Sequence, residues 1–379
     1  MKTCKMFEEL DERCKFIFNI IQQYGPVTKS EISAITQIKL TTLNRDMEVM
    51  VSKKIVIETS TAESTGGRKP ALYDVNPHDF YIIGMDISRT YTEIVIANLK
   101  FEVIAEKRMD DSYVLEKAIE ILPSSINELM RKFKIHNSML IGIGIGIFMG
   151  LDSNTLYAEL IEKFEVPVYM DNGANAAVIG EYYWGLGKFN QNIAYINCGV
   201  GIRTGVISSG VLIRSINNSE DALGHMIIDN DGELCECGNR GCVETYASIS
   251  RITQTFINEI EKEGKRILNK DLNEINYMDV CRLAENNDKV AKRILMNAAL
   301  HFGTGLSNFI RLLNPQLIIL SGPLVQHSQL FYDECKKIAL EKSHNINNGI
   351  SFNKGGYFKN NSIAVGASIM VIREITQSV

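Results

Sequence analysis

The sequence lacks two features of exported and membrane proteins. No uncharged apolar run reaches the roughly 18 residues that a membrane helix needs, and the first residues, MKTCKMFEELDERC, contain no apolar core of a signal peptide. Excess positive charge is also absent, because 40 Lys and Arg face 45 Asp and Glu, a formal net charge of -5. Any contact with nucleic acid must therefore come from a local surface. We expect a cytoplasmic protein.

The cysteines are not arranged as a disulfide framework. Cys235, Cys237 and Cys242 lie close together, and the other five of the eight are scattered through apolar or helical stretches. Without an export signal, this pattern favours metal binding over disulfides. The length of 379 residues and the hydrophobic content of 45% suffice for two or three domains, and nothing indicates disorder.

Three helices are predicted near the start of the chain. The segment CKFIFNIIQQYG has helical apolar spacing and stops at Gly25-Pro26. The segment TKSEISAITQ predicts a short helix, with Thr28 or Ser30 placed to cap it. A third helix, KLTTLNRDMEVMVSKK, follows a turn, and the last two helices together suggest a helix-turn-helix. The apolar residues of this third helix share one face: Leu40, Leu43, Met47 and Met50.

The opposite face of the third helix is a candidate DNA surface. Its side chains can donate to phosphates and base edges in a major groove, although a solvated helix face is the alternative. These side chains are Lys39, Thr41, Thr42, Asn44 and Arg45.

The next segment favours the DNA interpretation. KIVIETSTAESTGGRKPALYDVN predicts a strand, a polar loop and a strand, which is the pattern of a wing. Arg68 and Lys69 follow Gly66-Gly67, where a flexible backbone can place a guanidinium in a minor groove. Residues 1–77 carry 11 Lys and Arg against 10 Asp and Glu, and this net charge of +1 adds little support. We predict a winged helix-turn-helix that binds double-stranded DNA.

From Tyr81 onward, strands and helices alternate as in α/β proteins. The segment YIIGMDISRTYTEIVIANLKFEVIAEKRM begins with strand, tight polar turn and strand, and NIAYINCGVGIRTGVISSGVLIRS repeats this plan about a hundred residues later. Two such hairpins suggest duplicated lobes whose turns once cradled phosphates. Gly142, Gly144 and Gly146 share one strand face, and packing explains them better than a nucleotide fingerprint.

A possible catalytic carboxylate lies in the segment VYMDNGANAAVIGE. Its strand runs through an Asp-Asn-Gly turn into a helix, at the kind of sheet edge where α/β proteins hold ligands. Asp171 is the only candidate for a general base inside the turn. Helix capping is the alternative role, and it is favoured.

The strongest chemical signal is the segment GHMIIDNDGELCECGNRGCVETYAS. His225, Cys235, Cys237 and Cys242 can offer one nitrogen and three thiolates to a tetrahedral zinc ion. Four protein ligands leave no open position, so such a site would be structural. The alternative is three thiols without a metal.

Together these residues resemble the ROK family, named for its repressors, open reading frames and sugar kinases. The zinc segment resembles the family pattern G-H followed by C-x-C-G-x-x-G-C-x-E, and LLNPQLIILSGPLV and AVGASIMV are similar to its C-terminal landmarks. The resemblance implies an actin-like, two-lobed α/β ATPase fold that binds a sugar in its cleft. The expected domains are a winged helix-turn-helix (1–77), a first α/β lobe (78–192 plus 367–379) and a second lobe with the zinc loop (193–366).

The resemblance also indicates that the catalytic base is missing. Kinases of the family carry N-D-A-N at the turn after the strand, and the Asp takes the proton of the sugar hydroxyl. This sequence has Asn172-Gly173-Ala174-Asn175, so Gly173 occupies the position of the base. Loss of a general base costs about 10² to 10⁴ in rate.

The phosphate turns depart from the family pattern as well. The first, D-x-G-G-T, is here Asp86-Ile87-Ser88-Arg89-Thr90, and the second, G-T-G-I-G-G-G, is the segment 199–205 with Val200 and Arg203. The third has Gly322-Pro323 in place of a Gly-Gly pair. Arg89 and Arg203 can attract phosphate, but they fill space that glycine leaves open. We expect no ATP turnover.

The expected sugar site is better preserved. Asn172, His225 and Glu244 match family positions that bind sugar hydroxyls, with one ring nitrogen of His225 on zinc and the other towards the ligand. Ala222 and Met149 depart from the family pattern, which suggests a changed pocket for a sugar or a sugar phosphate. The alternative is structural, with His225 kept for zinc and Asn172 as a helix cap.

The sequence thus predicts a sugar-sensing transcriptional regulator, a repressor, that acts on an operator as a homodimer or homotetramer. Sugar binding would change lobe closure and the spacing of two DNA-binding modules. An active sugar kinase with an added DNA-binding domain is the main alternative. A DNA-binding protein whose kinase-like part serves only for dimerisation is the second.

Overall fold

The chain divides into two compact units in the computed structural model. The first contains Met1–Ala176 and Ile363–Val379, and the second contains Ala177–Ser362. The structure describes residues 2–61, 70–110, 114–147, 153–214, 222–264, 270–343 and 349–376. Within these ranges, no helix combines the length and the apolar character needed to cross a bilayer.

The first unit begins with helices and a small antiparallel sheet of strand order β1-β3-β2. Of the two predicted caps, Thr28 is the one used: its hydroxyl accepts from the Glu31 N–H, and the Glu31 carboxylate accepts from the Thr28 N–H. The two strands predicted on either side of the polar loop pair with each other. The elements are α1 (Lys2–Glu8), α2 (Glu12–Tyr24), β1 (Val27–Thr28), α3 (Lys29–Thr36), α4 (Leu40–Ser52), β2 (Val56–Thr61) and β3 (Ala71–Val75).

Helix α4 buries three of the four residues expected on its apolar face. Leu43, Met47 and Met50 are fully buried, whereas Leu40 is 47% exposed. Leu40 shares this face as predicted but stays exposed, because it is the first helical residue and the buried stripe begins at Leu43. Helix α1 was not predicted.

A five-stranded sheet follows, with strand order β6-β5-β4-β7-β8. Strands β4, β5 and β6 are antiparallel, and β4, β7 and β8 are parallel. The elements are β4 (Tyr81–Ile87), β5 (Thr92–Asn98), β6 (Val103–Met109), α5 (Val114–Lys132), β7 (Leu140–Ile147), α6 (Ser153–Phe164), β8 (Val168–Asn172) and α7 (Gly173–Tyr183).

The second unit repeats this sheet plan, with strand order β11-β10-β9-β12-β13. Again a hairpin of antiparallel strands adjoins two parallel strands. The predicted duplication of the hairpin is confirmed. The elements are β9 (Ile193–Cys198), β10 (Ile202–Ser208), β11 (Val211–Leu212), α8 (Glu244–Ala247), α9 (Ile249–Glu263), α10 (Tyr277–Glu285), α11 (Lys289–Leu313), β12 (Leu317–Ser321), α12 (Pro323–His327), α13 (Gln329–Lys342) and β13 (Ser351–Lys354).

The last helix, α14 (Ser362–Thr376), returns to the first unit and packs on the glycine face of its sheet. A Cβ added at Gly144 would lie 1.9 Å from the carbonyl oxygen of Ala367, and one at Gly84 would lie 1.9 Å from that of Ala364. Only glycine allows backbone to approach backbone so closely. Packing thus explains these strand glycines.

Candidate functional site

Four side chains of the second unit form a cluster that can hold a metal ion. The ligand atoms of His225, Cys235, Cys237 and Cys242 all lie within 4.8 Å of one another. His225 Nδ1 is 3.5 Å from Cys235 Sγ, and Cys237 Sγ is 3.7 Å from Cys242 Sγ. One nitrogen and three sulfurs at these separations suit a tetrahedral metal such as zinc.

The loop that carries the thiols is shaped by its own backbone hydrogen bonds. The Cys235 N–H donates to the Asn239 carbonyl at 2.8 Å, and the Gly238 N–H donates to the Cys235 carbonyl at 2.9 Å. Gly238 has a φ of +90° and Gly241 a φ of +68°. A Cβ at Gly241 would lie 1.6 Å from the Asp229 carbonyl oxygen, so this position requires glycine.

The three thiols have different surroundings. Burial raises the pKa of the Cys242 thiol to about 12, whereas the backbone N–H of Asn239 lowers the pKa of the exposed Cys237. A bound cation is the charge that would hold all three as thiolates.

The Asp-Asn-Gly turn lies in the first unit and is bonded internally. Asn172 Oδ1 accepts from the Asn175 N–H at 2.7 Å, so Asn172 is the cap of helix α7. Asp171 Oδ1 accepts from the Asn172 N–H at 2.8 Å and from the Asn175 side-chain amide at 2.9 Å. The expectation that Asp171 caps helix α7 was therefore wrong, because Asn172 caps the helix and Asp171 supports the turn.

Gly173 has little space for a longer side chain. A Cβ at this position would lie 3.2 Å from Ile363 Cδ1. Gly173, which the resemblance predicts at the position of the base, is therefore packed against an apolar side chain.

The first phosphate turn is closed by its own side chains. Ser88 Oγ accepts from the backbone N–H groups of Thr90 at 3.2 Å and Tyr91 at 3.1 Å. The Tyr91 hydroxyl donates to the buried Asp86 carboxylate at 2.6 Å. Backbone donors that could face a phosphate are thus bonded within the turn.

In the second and third expected phosphate turns, some backbone N–H groups are likewise bonded or absent. The Ile202 N–H donates to Glu244 Oε2 at 2.8 Å, and the Gly199 N–H donates to the Gly201 carbonyl at 3.0 Å. Pro323 begins helix α12 and has no N–H. In these two turns, the N–H groups of Ile202 and Gly199 are thus bonded internally, and Pro323 offers none.

The three residues expected to contact a sugar lie in different units. Asn172 belongs to the first unit, where it is buried, and His225 and Glu244 belong to the second. The Nδ1 atom of His225 faces the thiols, and one oxygen of Glu244 is bonded to Ile202. Met149 lies outside the described residues.

The candidate DNA residues of helix α4 form one surface. Lys39, Thr41, Asn44 and Arg45 are exposed, and Thr42 is half-buried. Arg68 and Lys69 lie outside the described residues. Sequence analysis missed Lys29, which contacts Asn44, because nothing in the local pattern relates the two positions.

The duplicated sheets, the winged module and the Cys/His cluster define an actin-like α/β protein with a winged helix-turn-helix. The sequence model of the ROK family matches residues 149–374, more than half of the chain. The chain therefore belongs to the ROK family, and the resemblance found in the sequence is confirmed.

Two curated relatives are regulators by name. A xylose repressor of Bacillus spizizenii is 29% identical over 327 residues, which cover 82% of each chain. An N-acetylglucosamine repressor of Escherichia coli O6:H1 is 24% identical over 327 residues, which cover 82% of this chain and 80% of the relative.

Two solved structures share the fold. A ROK family transcriptional regulator, a homolog of the E. coli MLC protein, has a TM-score of 0.79 at 19% identity and covers 98% of this chain and 97% of its own. A ROK family glucokinase from Streptomyces griseus, in complex with glucose and AMPPNP, has a TM-score of 0.66 at 20% identity, covering 76% of this chain and 98% of its own. The predicted fold class is confirmed.

Proposed function

We propose that this chain is a DNA-binding transcriptional regulator of carbohydrate genes that senses a sugar through a kinase-like fold without kinase activity. The observation that carries the proposal is the closed first phosphate turn, in which Ser88 accepts from the N–H groups of Thr90 and Tyr91. Gly173 in place of the base and Pro323 in place of an N–H donor support it. Relatives named as repressors favour repression as the mode of action.

DNA binding is assigned to residues 1–77 as a separate domain. Helix α4 would enter the major groove with Lys39, Thr41, Thr42, Asn44 and Arg45, and Arg68 and Lys69 of the wing would contact the minor groove. A homodimer or homotetramer would present two such domains to the two halves of an operator.

Sugar contacts are assigned to Asn172, His225 and Glu244. Amide, imidazole and carboxylate groups suit the hydroxyls of a sugar or a sugar phosphate. The names of the relatives point to pentoses and N-acetylated hexoses as the first candidates.

Zinc is assigned to His225, Cys235, Cys237 and Cys242. These ligands fill a tetrahedral shell, so the ion would brace the loop and carry no reacting water. Because Nδ1 of His225 faces the thiols, Nε2 at the opposite edge of the ring is the atom available for a sugar hydroxyl.

A thermal-shift panel of xylose, N-acetylglucosamine, glucose, their phosphates and Mg-ATP tests the proposal. A ligand at about 100 times its Kd adds roughly 2.7 kcal/mol to the folded state. We expect a shift with one sugar class, no shift with Mg-ATP, and loss of the sugar shift in Asn172→Ala and Glu244→Ala.

The alternatives give different results in the same panel. A shift with Mg-ATP, followed by ATP-dependent phosphorylation of a sugar, would establish an active kinase. The absence of any sugar shift, together with sequence-specific DNA binding, would establish a DNA-binding protein whose kinase-like part serves only for dimerisation.

A further inference from the structure

Lys29 joins three elements of the winged module. It is the first residue of helix α3, and its Nζ lies 2.8 Å from Asn44 Oδ1 on helix α4. The same Nζ lies 5.2 Å from the centroid of the Tyr73 ring on strand β3, a cation–π contact. The ammonium group is therefore held between the wing strand and the helix assigned to the major groove.

This contact fixes the orientation of the Asn44 amide. A lysine ammonium donates three hydrogen bonds and accepts none, so the amide atom that faces it is the oxygen. The Nδ2 group of the exposed Asn44 is thereby left to face away from Lys29 as a hydrogen-bond donor. A free asparagine has no such bias, because its amide can rotate by half a turn.

The orientation of the amide matters for base recognition. Asparagine recognises adenine with both amide atoms, accepting from N6 and donating to N7. Guanine presents two acceptors, O6 and N7, in the major groove. A donor held beside a positive charge matches the guanine edge better than the adenine edge.

We propose that Lys29 is a specificity-determining positioning residue that presents Asn44 as a donor, so that Asn44 selects guanine over adenine at one operator position. The proposal rests on the proposed function, in which helix α4 contacts bases. A simple phosphate contact by Lys29 is the competing role.

The test begins with selection of duplexes from a randomised pool by the full-length wild-type chain. Affinities for the selected duplex and its single-base variants are then measured for wild type, Lys29→Met, Lys29→Arg and Asn44→Ala. Lys29→Arg keeps a charged donor and is the matched control. Thermal melting checks that each variant is folded.

We expect Lys29→Met to lose roughly 2- to 12-fold of its preference for guanine at one position, the worth of one hydrogen bond, and Lys29→Arg to keep it. Asn44→Ala should lose the preference for guanine at that same position. The double variant with Lys29→Met and Asn44→Ala should show the same preference as Asn44→Ala alone. The proposal would be overturned if Lys29→Met bound all duplexes more weakly by the same factor and its affinity depended less on salt. Lys29 would then be a phosphate contact. Failure of the wild type to select any duplex would overturn the proposed function itself.

Discussion

At the scale of single residues, the first unit contains a buried carboxyl group in an unfavourable place. Glu93 is 5% exposed, and it pairs across the strands with Asp86 on one side and Arg108 on the other. Burial, together with the Asp86 carboxylate, raises the pKa of Glu93 to about 7 from an ordinary value of 4.5. The Arg108 guanidinium opposes the shift but is stacked on Tyr91, 3.8 Å from the ring centroid.

Glu93 should make stability depend on pH. Between pH 4.5 and 7 the folded chain binds the Glu93 proton while the unfolded chain releases it, so the unfolding free energy falls as pH rises through this range. Glu93→Gln, which keeps the shape without the charge, should be more stable than wild type at pH 8 by about 1 to 3 kcal/mol.

Urea melts at pH 5 and pH 8 measure this difference, and Glu162→Gln on helix α6 is the exposed control. Equal stability of wild type and Glu93→Gln at pH 8 would show that Glu93 ionises without cost.

At the scale of elements, local patterns predicted much of the fold. The hairpins β4–β5 and β9–β10 follow from alternating apolar residues, and the ligands Cys235, Cys237 and Cys242 could be grouped because they are neighbours in sequence. Helix α1 was missed because it is short, and the packing of its Phe7 against Phe18 and Phe80 joins residues far apart in sequence.

Contacts between distant side chains were beyond sequence analysis. The Lys29–Asn44 contact joins residues of two helices, and the hydrogen bond between Ile202 and Glu244 spans 42 positions. No periodic pattern in the sequence indicates either contact, because each depends on how the helices and strands pack in the folded chain.

The zinc loop gives a prediction at the scale of an element. Purified wild type should contain about one zinc ion per chain, since four ligands form a closed site. Cys242→Ser should lose most of it and melt at a lower temperature, because the free energy of metal binding then no longer stabilises the folded state.

Metal analysis and thermal melting measure both effects, with Cys281→Ala, a buried cysteine of helix α10, as the control that keeps its zinc. Zinc well below one per chain in the wild type would contradict the assignment.

At the scale of the whole molecule, an ion pair and hydrogen bonds join the winged module to the rest of the first unit. Lys100 Nζ lies 2.5 Å from the buried Asp74 carboxylate at the end of the wing. The Gln22 amide donates to the Leu99 carbonyl at 2.8 Å, and the Thr376 hydroxyl donates to Asn19 at 3.0 Å. Through these contacts a change in the α/β part can reach the helices of the winged module.

Removing the cation from this junction should destabilise the first unit. Lys100→Met leaves the Asp74 carboxylate buried without its partner, which should lower the unfolding free energy by about 1 to 3 kcal/mol. Lys262→Met removes the same charge from an exposed helix end and should change it by less than about 0.5 kcal/mol. Denaturant melts compare the two variants, and equal effects would mean that the junction contributes nothing.

The packing of helix α14 on the glycine face also sets an order of events during synthesis. The first unit is made of Met1–Ala176 and Ile363–Val379, so its sheet stays uncovered on that face until the last segment has been translated. At about 5 to 20 residues per second, translation of Ala177–Ser362 takes on the order of 10 to 40 s. The second unit is one uninterrupted stretch and is complete before the first, so the unit that carries the winged module can close only after the second unit has been synthesised.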